Sequence, residues 1–295
     1  MSATLSPASV EPAFRRVALL GVGLIGGSVA AACRLAGCAA HVVGYTPGPD
    51  AAEALALGLL DSVASSVAQA VAGADLVVLA VPVSAQQALF NELTPHLGAD
   101  ALVTDCASTK CSAVLAASAA LGPALARYVP AHPIAGSERH GPAAARADLF
   151  KGALVVVCPQ PPNTLSAVQR ISDFWRALGG RVVELDAARH DRVFAEVSHW
   201  PHAVAFAMCA AIANGDCAED ALRFAGAGLR DTSRIGASSP LLWADILLDN
   251  REPVLACAEA FEAEMAALLA ALRAGDRQAL AACFEPGSRW RRALT

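Results

Sequence analysis

The sequence lacks a surplus of basic side chains. It contains 22 Lys and Arg against 27 Asp and Glu, so its formal net charge is -5 and its pI is about 5.8. Proteins that bind nucleic acids usually carry a basic face, so this balance argues against a nucleic-acid partner. The chain is 55% hydrophobic and has a mean hydropathy of +0.45. Much of that excess is alanine, which favours packed helices.

The sequence also lacks the cysteine spacings of a metal site or a disulfide framework. Its nine cysteines are odd in number, and none belongs to a C-x-x-C pair. Most of them stand in apolar runs, where a free cysteine acts as a small hydrophobic residue. We therefore predict reduced thiols, no disulfides and no metal.

No targeting or membrane segment is evident in the sequence. The arm before residue 13 has no apolar stretch after a basic start, as a signal peptide would. The apolar segment 17–33 approaches the length of a spanning helix, but its four glycines would weaken such a helix. We therefore expect a soluble cytoplasmic enzyme with no membrane partner.

The 295 residues exceed one average domain, so two domains are expected. In the first two-thirds, candidate strands alternate with helical patterns near 24–37, 50–57, 84–97, 109–121 and 163–179. The candidate strands are 16–21, 41–45, 76–81, 101–105, 128–131, 153–158 and 181–185. This alternation predicts an α/β fold, a Rossmann-type, doubly wound parallel sheet, over residues 1–186. Residues 187–295 read as an all-helical domain, with breaks at Asn214-Gly215, Ser239-Pro240, Glu252-Pro253 and Gly275.

A glycine motif of the G-x-G-x-x-G type follows the first candidate strand and opens a helix. Gly21 suits a tight turn, Gly23 lets the backbone approach a pyrophosphate, and Gly26 lets the helix pack on the strand. Leu24 and Ile25 begin the helix, whose N–H groups would face the phosphates. This context predicts a site for NAD or NADP.

The end of the second strand should select between the two dinucleotides. NAD sites commonly have an acidic residue there, which binds the ribose 2′-hydroxyl, but this sequence has Thr46. No arginine follows to bind a 2′-phosphate. The missing carboxylate favours NADP slightly. After a later strand, we expect Val81, Pro82 and Ser84 to line the same cofactor site.

Polar residues follow two further strands, at the edge where open α/β sheets bind ligands. Ser108 lies in the segment DCASTK, and His132 is followed by a proline and a glycine turn. Catalytic groups collect at such positions, although a single histidine is often structural.

In the helical domain, Ser198 and His202 belong to the segment SHWPH, which interrupts an apolar pattern. Arg230 and Arg234 are four residues apart, so they share one face if that segment is helical. Ser198 can also be read as a helix cap, and the two arginines as solvated surface charge.

Six segments together resemble the prephenate/arogenate dehydrogenase family over nearly the whole chain: GVGLIGGS, DCASTK, HPIAGSE, SHWPH, LRDTSR and SSPLLW. The resemblance implies a Rossmann-type domain and a helical domain that forms a homodimer. It also implies an oxidative decarboxylation, in which hydride leaves the ring carbon that bears the hydroxyl, CO₂ departs and the ring becomes aromatic.

The resemblance also implies roles for individual residues. His132 matches the family histidine that accepts the hydroxyl proton, and Ser108 matches the serine that orients it. Arg234 matches an arginine that binds a substrate carboxylate. Further positions match the substrate pocket, with Trp243 approaching from the partner subunit; they are Ser137, Glu138, Ser198, His202 and Arg230.

The sequence leaves alternatives open. The substrate is prephenate, arogenate or both, and Arg230 stands where relatives often carry lysine. A β-hydroxyacid dehydrogenase would need a lysine in the helical domain, but the chain's two lysines, Lys110 and Lys151, both precede it. A catalytically silent dinucleotide sensor is the alternative from another class, and the presence of His132, Ser108 and Arg234 argues against it.

Overall fold

A computed structural model describes residues 12–136 and 139–294. Its larger sheet has five parallel strands in the order β3-β2-β1-β4-β5. The strands are β1 (Val17–Leu20), β2 (Val42–Tyr45), β3 (Ser62–Val63), β4 (Leu76–Leu79) and β5 (Leu102–Asp105). The order reverses beside β1, where Val17 pairs with Val42 of β2 on one side and with Leu76 of β4 on the other.

Helices connect these strands and cover both faces of the sheet. They are α1 (Leu24–Ala36), α2 (Asp50–Ala56), α3 (Val67–Val71), α4 (Val83–Leu93) and α5 (Cys111–Ala120). Because side chains alternate along a strand, Val17 and Leu19 enter one buried core while Ala18 and Leu20 enter the other. Apolar cores on both faces are typical of a doubly wound sheet.

The smaller sheet differs from the prediction. Its order is β6-β7-β8, comprising β6 (Ala131–Pro133), β7 (Leu154–Val157) and β8 (Arg181–Glu184), with α6 (Leu165–Ala177) between the last two. β6 runs antiparallel to β7, so the expectation of parallel strands throughout is wrong here. The predicted strand 128–131 is also displaced towards the C-terminus.

Pro130 explains this displacement. Tyr128 bridges to Val103 at the edge of the larger sheet, and the Val129 N–H donates to the Val103 carbonyl. Proline has no N–H to continue that ladder. The chain therefore leaves the larger sheet at Pro130 and pairs with β7 from Ala131 onward.

Two short elements, β3 and α3, were not predicted. β3 has two residues, which is too few to show alternation. α3 has five residues and is capped at its N-terminus by Ser66, whose Oγ accepts a hydrogen bond from the Gln69 N–H. A single capped turn gives no periodic apolar pattern.

Helices fill the rest of the described chain. They are α7 (Ala187–Phe194), α8 (Trp200–Ala213), α9 (Ala218–Phe224), α10 (Ala227–Ser233), α11 (Pro240–Asp249), α12 (Arg251–Ala274) and α13 (Arg277–Ala293). A π-helical turn, Ala195–His199, joins α7 to α8. The predicted break at Glu252-Pro253 occurs two residues earlier, at Asn250 between α11 and α12. Pro253 lies in the first turn of α12, where its missing N–H leaves no helical bond unmade.

Contacts divide the chain into two units. The first unit extends to Asp191 and also includes Ala237–Asp249, and the second comprises Arg192–Gly236 and the chain from Asn250 onward. The sequence predicts one boundary after residue 186, whereas the segment that contains α11, although it lies late in the chain, belongs to the first unit. The prediction of a Rossmann-type region followed by helices is confirmed. No described helix is long and apolar enough to cross a membrane.

Candidate active site

The glycine turn after β1 has the geometry that its sequence predicts. Gly21 has a φ of +92°, and a Cβ on it would lie 2.4 Å from the Ala80 carbonyl oxygen. A Cβ on Gly26 would lie 2.0 Å from the Gly21 oxygen. A Cβ on Gly23 would meet no atom within 4 Å, so this residue borders open space. The first and last glycines are therefore required by packing, and the middle one leaves room for a ligand.

Helix α1 begins directly after this turn. Gly23 is its N-cap and provides no side-chain cap, and the first turn carries no acidic residue. The first N–H groups of a helix have no partner within the helix. Leu24 and Ile25, both half-buried, are the first residues of α1, and the unpaired N–H groups at this helix N-terminus can bind an anion.

Two more strand ends lie along the same edge of the sheet. Thr46, half-buried, follows β2, and no carboxylate occurs before Asp50 at the start of α2. Val81 is half-buried after β4, and the exposed Pro82 is the N-cap of α4. The exposed Ser84 hydroxyl donates to Asp245 Oδ2 at 3.3 Å.

A buried ion pair that the sequence reading missed stands at the end of β5. Lys110 Nζ donates to Asp105 Oδ2, and both side chains are fully buried. The same ammonium donates to the Ala131 carbonyl at 2.7 Å. Asp105 Oδ1 accepts from the Ala131 N–H at 3.1 Å. One ion pair thereby holds both polar backbone groups of the residue that precedes His132.

Asp105 accepts further hydrogen bonds. They come from the Tyr128 hydroxyl at 3.1 Å, the Ala107 N–H at 3.0 Å and the Gln86 amide at 3.2 Å. Burial raises the pKa of Tyr128 well above its ordinary value, and the Asp105 charge adds to this, so the phenol keeps its proton and donates. A buried carboxylate is stable only when it is paired and hydrogen-bonded in this way.

His132 lies in β6 rather than after a strand, and its ring belongs to a chain of three side chains. His132 Nδ1 is 2.9 Å from His190 Nε2, and His190 Nδ1 is 2.8 Å from Asp191 Oδ1. His190 and Asp191 come from α7 and are buried. Sequence reading missed both, because His190 lies 58 positions from His132, Asp191 lies at least 80 positions from the start of α5, and neither belongs to a recognisable motif.

The Asp191 carboxylate also caps the N-terminus of helix α5. It accepts hydrogen bonds from the N–H groups of Lys110 at 2.7 Å and Cys111 at 2.8 Å. A carboxylate at this position satisfies N–H groups that the helix leaves unpaired. Ser108 lies half-buried in the preceding loop, and its hydroxyl makes no hydrogen bond within the described part of the chain.

Two cysteines near this network are not nucleophiles. Burial raises the pKa of Cys111 to about 12, and its hydrogen bond with Asp191 contributes. Burial likewise raises the pKa of Cys158 to about 12. Both are thiols at neutral pH, whereas a thiolate is the reactive form.

The second unit brings together three of the predicted residues. His202 Nδ1 donates to the Ser198 carbonyl at 2.8 Å, so Ser198 contributes its backbone to this contact. Burial lowers the pKa of His202, and the nearby Arg234 guanidinium lowers it further, against the opposing effect of the Ser198 carbonyl. His202 is therefore a neutral imidazole at pH 7.

The remaining predicted residues are less constrained. Arg230 and Arg234 are exposed; α10 carries the first, and the second continues its helical backbone as the C-cap. Arg230 Nε donates to the Ala225 carbonyl at 3.3 Å. Trp243 is half-buried in α11 of the first unit. The predictions for Ser137 and Glu138 lie outside the described residues.

Comparisons with known proteins match this architecture. A family model for the nucleotide-binding domain of prephenate dehydrogenase matches residues 29–184, and one for its dimerization domain matches residues 186–286. The cyclohexadienyl dehydrogenase of Zymomonas mobilis is 33% identical over 286 residues, which is 95% of this chain and 96% of that protein. The prephenate dehydrogenase of Bacillus subtilis is 35% identical over 243 residues, 81% of this chain and 65% of that protein.

A solved structure is similar throughout. The prephenate dehydrogenase of A. aeolicus, in complex with hydroxyphenyl propionate and NAD+, has a TM-score of 0.87 and 30% sequence identity. The match covers 98% of this chain and all of that one.

Proposed function

The chain belongs to the prephenate dehydrogenase family, and from this premise we propose that it oxidises and decarboxylates prephenate to 4-hydroxyphenylpyruvate with NAD or NADP. The product is the keto-acid precursor of tyrosine, so the reaction would serve tyrosine synthesis. The observation that carries the proposal is the hydrogen-bonded imidazole of His132, in the same unit as a glycine turn that is open at Gly23.

The glycine turn fits a dinucleotide. Gly23 leaves open the space that a pyrophosphate would take, and the first N–H groups of α1, at Leu24 and Ile25, would donate to it. Thr46, Val81, Pro82 and Ser84 are the other residues to which we assign cofactor contacts. When bound, the nicotinamide supplies an acceptor for the hydride that leaves the substrate.

The proposed base is His132. Oxidation of the hydroxyl-bearing carbon releases a hydride and a proton, and the imidazole accepts the proton as the carbonyl forms. Loss of CO₂ from the opposite ring position then sends an electron pair through the ring to that oxygen, which becomes a phenolate. The imidazolium can return its proton to the phenolate, so the reaction releases no net proton. Ser108, on the neighbouring loop, is our candidate for contacting the substrate hydroxyl.

We assign recognition of the substrate carboxylates to two arginines. A planar guanidinium binds a carboxylate through two parallel hydrogen bonds, so we assign this role to Arg234 and, beside it, Arg230. We assign supporting contacts to Ser198, His202, Ser137 and Glu138, and to Trp243 as a residue presented to the partner subunit. The match to a dimerization domain supports the proposal of a homodimer.

The proposal includes two specificities, for the substrate and for the dinucleotide. A relative named cyclohexadienyl dehydrogenase supports including arogenate as a second substrate, because both compounds are cyclohexadienols that differ in the side chain. The missing carboxylate at the end of β2 supports NADP, whereas the similar A. aeolicus structure contains NAD+. We also propose that the enzyme works in the cytoplasm, where both dinucleotides are available.

One steady-state experiment tests the proposal. Purified protein is mixed with prephenate or arogenate and with NAD or NADP, and absorbance of the reduced nicotinamide is followed. We expect turnover with prephenate and at least one dinucleotide, and equimolar CO₂ release. Dinucleotide binding without turnover of either substrate would instead support the silent sensor and would contradict the enzyme.

A further inference from the structure

We propose that Asp191 and His190 are positioning residues that fix the proton of neutral His132 on Nδ1, so that Nε2 is the atom that accepts the substrate proton. This inference rests on the proposed function for its catalytic consequence. Its structural content, the tautomer of one imidazole, stands on the geometry of three side chains in the first unit.

Asp191 determines which atom donates in each of the hydrogen bonds that link it to His190 and His132. An ionised carboxylate only accepts hydrogen bonds. Burial by itself raises the pKa of Asp191, but hydrogen bonds from His190 and from the N–H groups of Cys111 and Lys110 outweigh it and hold this pKa below its ordinary value. Asp191 is therefore an anion at neutral pH, and each group that is hydrogen-bonded to it, His190 included, must donate.

His190 transmits this direction. Its Nδ1 faces Asp191 Oδ1 at 2.8 Å, so Nδ1 carries a proton. Burial lowers the pKa of His190 and the Lys110 charge contributes, against the raising effect of Asp191, so the ring is neutral at pH 7 and has only one ring proton. His190 Nε2 therefore carries a lone pair and accepts.

His132 receives the consequence. Its Nδ1 lies 2.9 Å from that acceptor, so His132 Nδ1 donates and its own lone pair is on Nε2. The opposite arrangement would place an unprotonated His190 Nδ1 against a carboxylate, which sets two acceptors face to face at 2.8 Å. When His132 becomes an imidazolium, its Nδ1–H bond to His190 is kept, so no partner must reorient during proton transfer.

The tautomer itself can be measured on the full-length protein without substrate. In ¹⁵N-histidine-labelled protein, long-range ¹H–¹⁵N correlations show which ring nitrogen carries the proton, and His132→Asn identifies the His132 signals among the seven histidines. We expect the proton on Nδ1 in both His132 and His190 at pH 7.5. A proton on Nε2 of His132 would overturn the inference, whatever the enzyme's substrate.

A matched pair of variants tests the consequence. His190→Leu removes the acceptor at similar volume, and His190→Gln keeps an oxygen that can accept from Nδ1. With dinucleotide Kd as the check on folding, we expect the leucine variant to lose about tenfold or more in kcat, the direction seen when an imidazole is held in its wrong tautomer. The glutamine variant should retain kcat within about threefold, with substrate KM little changed in either.

Equal kcat in His190→Leu and the parent, or equal losses in both variants, would contradict a positioning role. The failure of the two proposals can be told apart. If the parent turns over neither cyclohexadienol, the proposed function fails, while the NMR result still decides the tautomer.

Discussion

The two sets of candidate residues differ in how firmly the chain holds them. Around His132, buried side chains hold both the backbone and the ring: Asp105 and Lys110 bind the peptide beside it, and His190 binds its imidazole. Arg230 and Arg234, in contrast, are exposed on a short helix and its cap. Proton transfer requires one protonation state at one atom, whereas a charged fork can adjust to a carboxylate as it binds. The buried polar contacts of the first unit are therefore concentrated around the proposed base, His132.

The largest effect is expected when the buried cation, the Lys110 ammonium, is removed. Lys110→Met leaves Asp105 as an uncompensated buried charge, which costs about 3–5 kcal/mol in the free energy of unfolding. Urea denaturation measures it, with Lys151→Met, the exposed and only other lysine, as the matched control. A loss no larger than that of the control would mean that the network is not what holds this region.

The next effect concerns the proposed base, His132. His132→Asn should leave dinucleotide Kd unchanged and lower kcat by about 10² or more, the scale of general-base removal. His96→Asn, an exposed histidine in the same unit, provides the control in the same turnover and binding assays. Undiminished turnover would remove His132 from its proposed role.

A smaller effect is expected for the exposed arginines, and it concerns the substrate KM. Arg234→Gln is expected to raise the substrate KM by about 10–100-fold with little loss of kcat, because a charged hydrogen bond contributes about 1.5–3 kcal/mol. Arg223→Gln alters another exposed arginine of the second unit and should leave KM near that of the parent. A fall in kcat at unchanged KM would show that Arg234 acts on the reaction rather than on binding.

The last effect compares a histidine from each region by acid sensitivity. Burial lowers the pKa of both His190 and His202, so the unfolded chain binds more protons than the folded one below pH ~6.5. Stability should therefore be full above that pH and should decrease as the pH falls towards the lowered values. Urea midpoints at pH 7.5, 6.5 and 5.5 measure this, and His202→Gln should reduce the slope while His96→Gln should not. A flat profile would refute the prediction.

The sequence predicts the parts of this molecule that depend on local pattern. The turn at Gly21 to Gly26, the four longer strands of the larger sheet and the helical second half follow from spacing and periodicity alone. The antiparallel strand β6 does not, because it depends on Pro130 meeting the edge of one sheet while β7 offers another.

The contacts around the base escape sequence reading for a related reason. His190 and Asp191 lie 58 and 80 or more positions from His132 and from the start of α5. On α7 they lie between Arg189 and Arg192, so the sequence there resembles a solvated surface. One signal was available for the ion pair: DCASTK follows an apolar run, and an aspartate and a lysine buried there would be expected to pair.

Residue 131 has the most distant consequence. The Asp105 carboxylate binds its N–H and the Lys110 ammonium binds its carbonyl, so two fully buried charges orient the peptide beside the His132 imidazole. Efforts to alter which cyclohexadienol is accepted should therefore vary the arginine-bearing helix and leave positions 105 and 110 constant. A library that randomised those two would misalign the ring before any new selectivity could emerge.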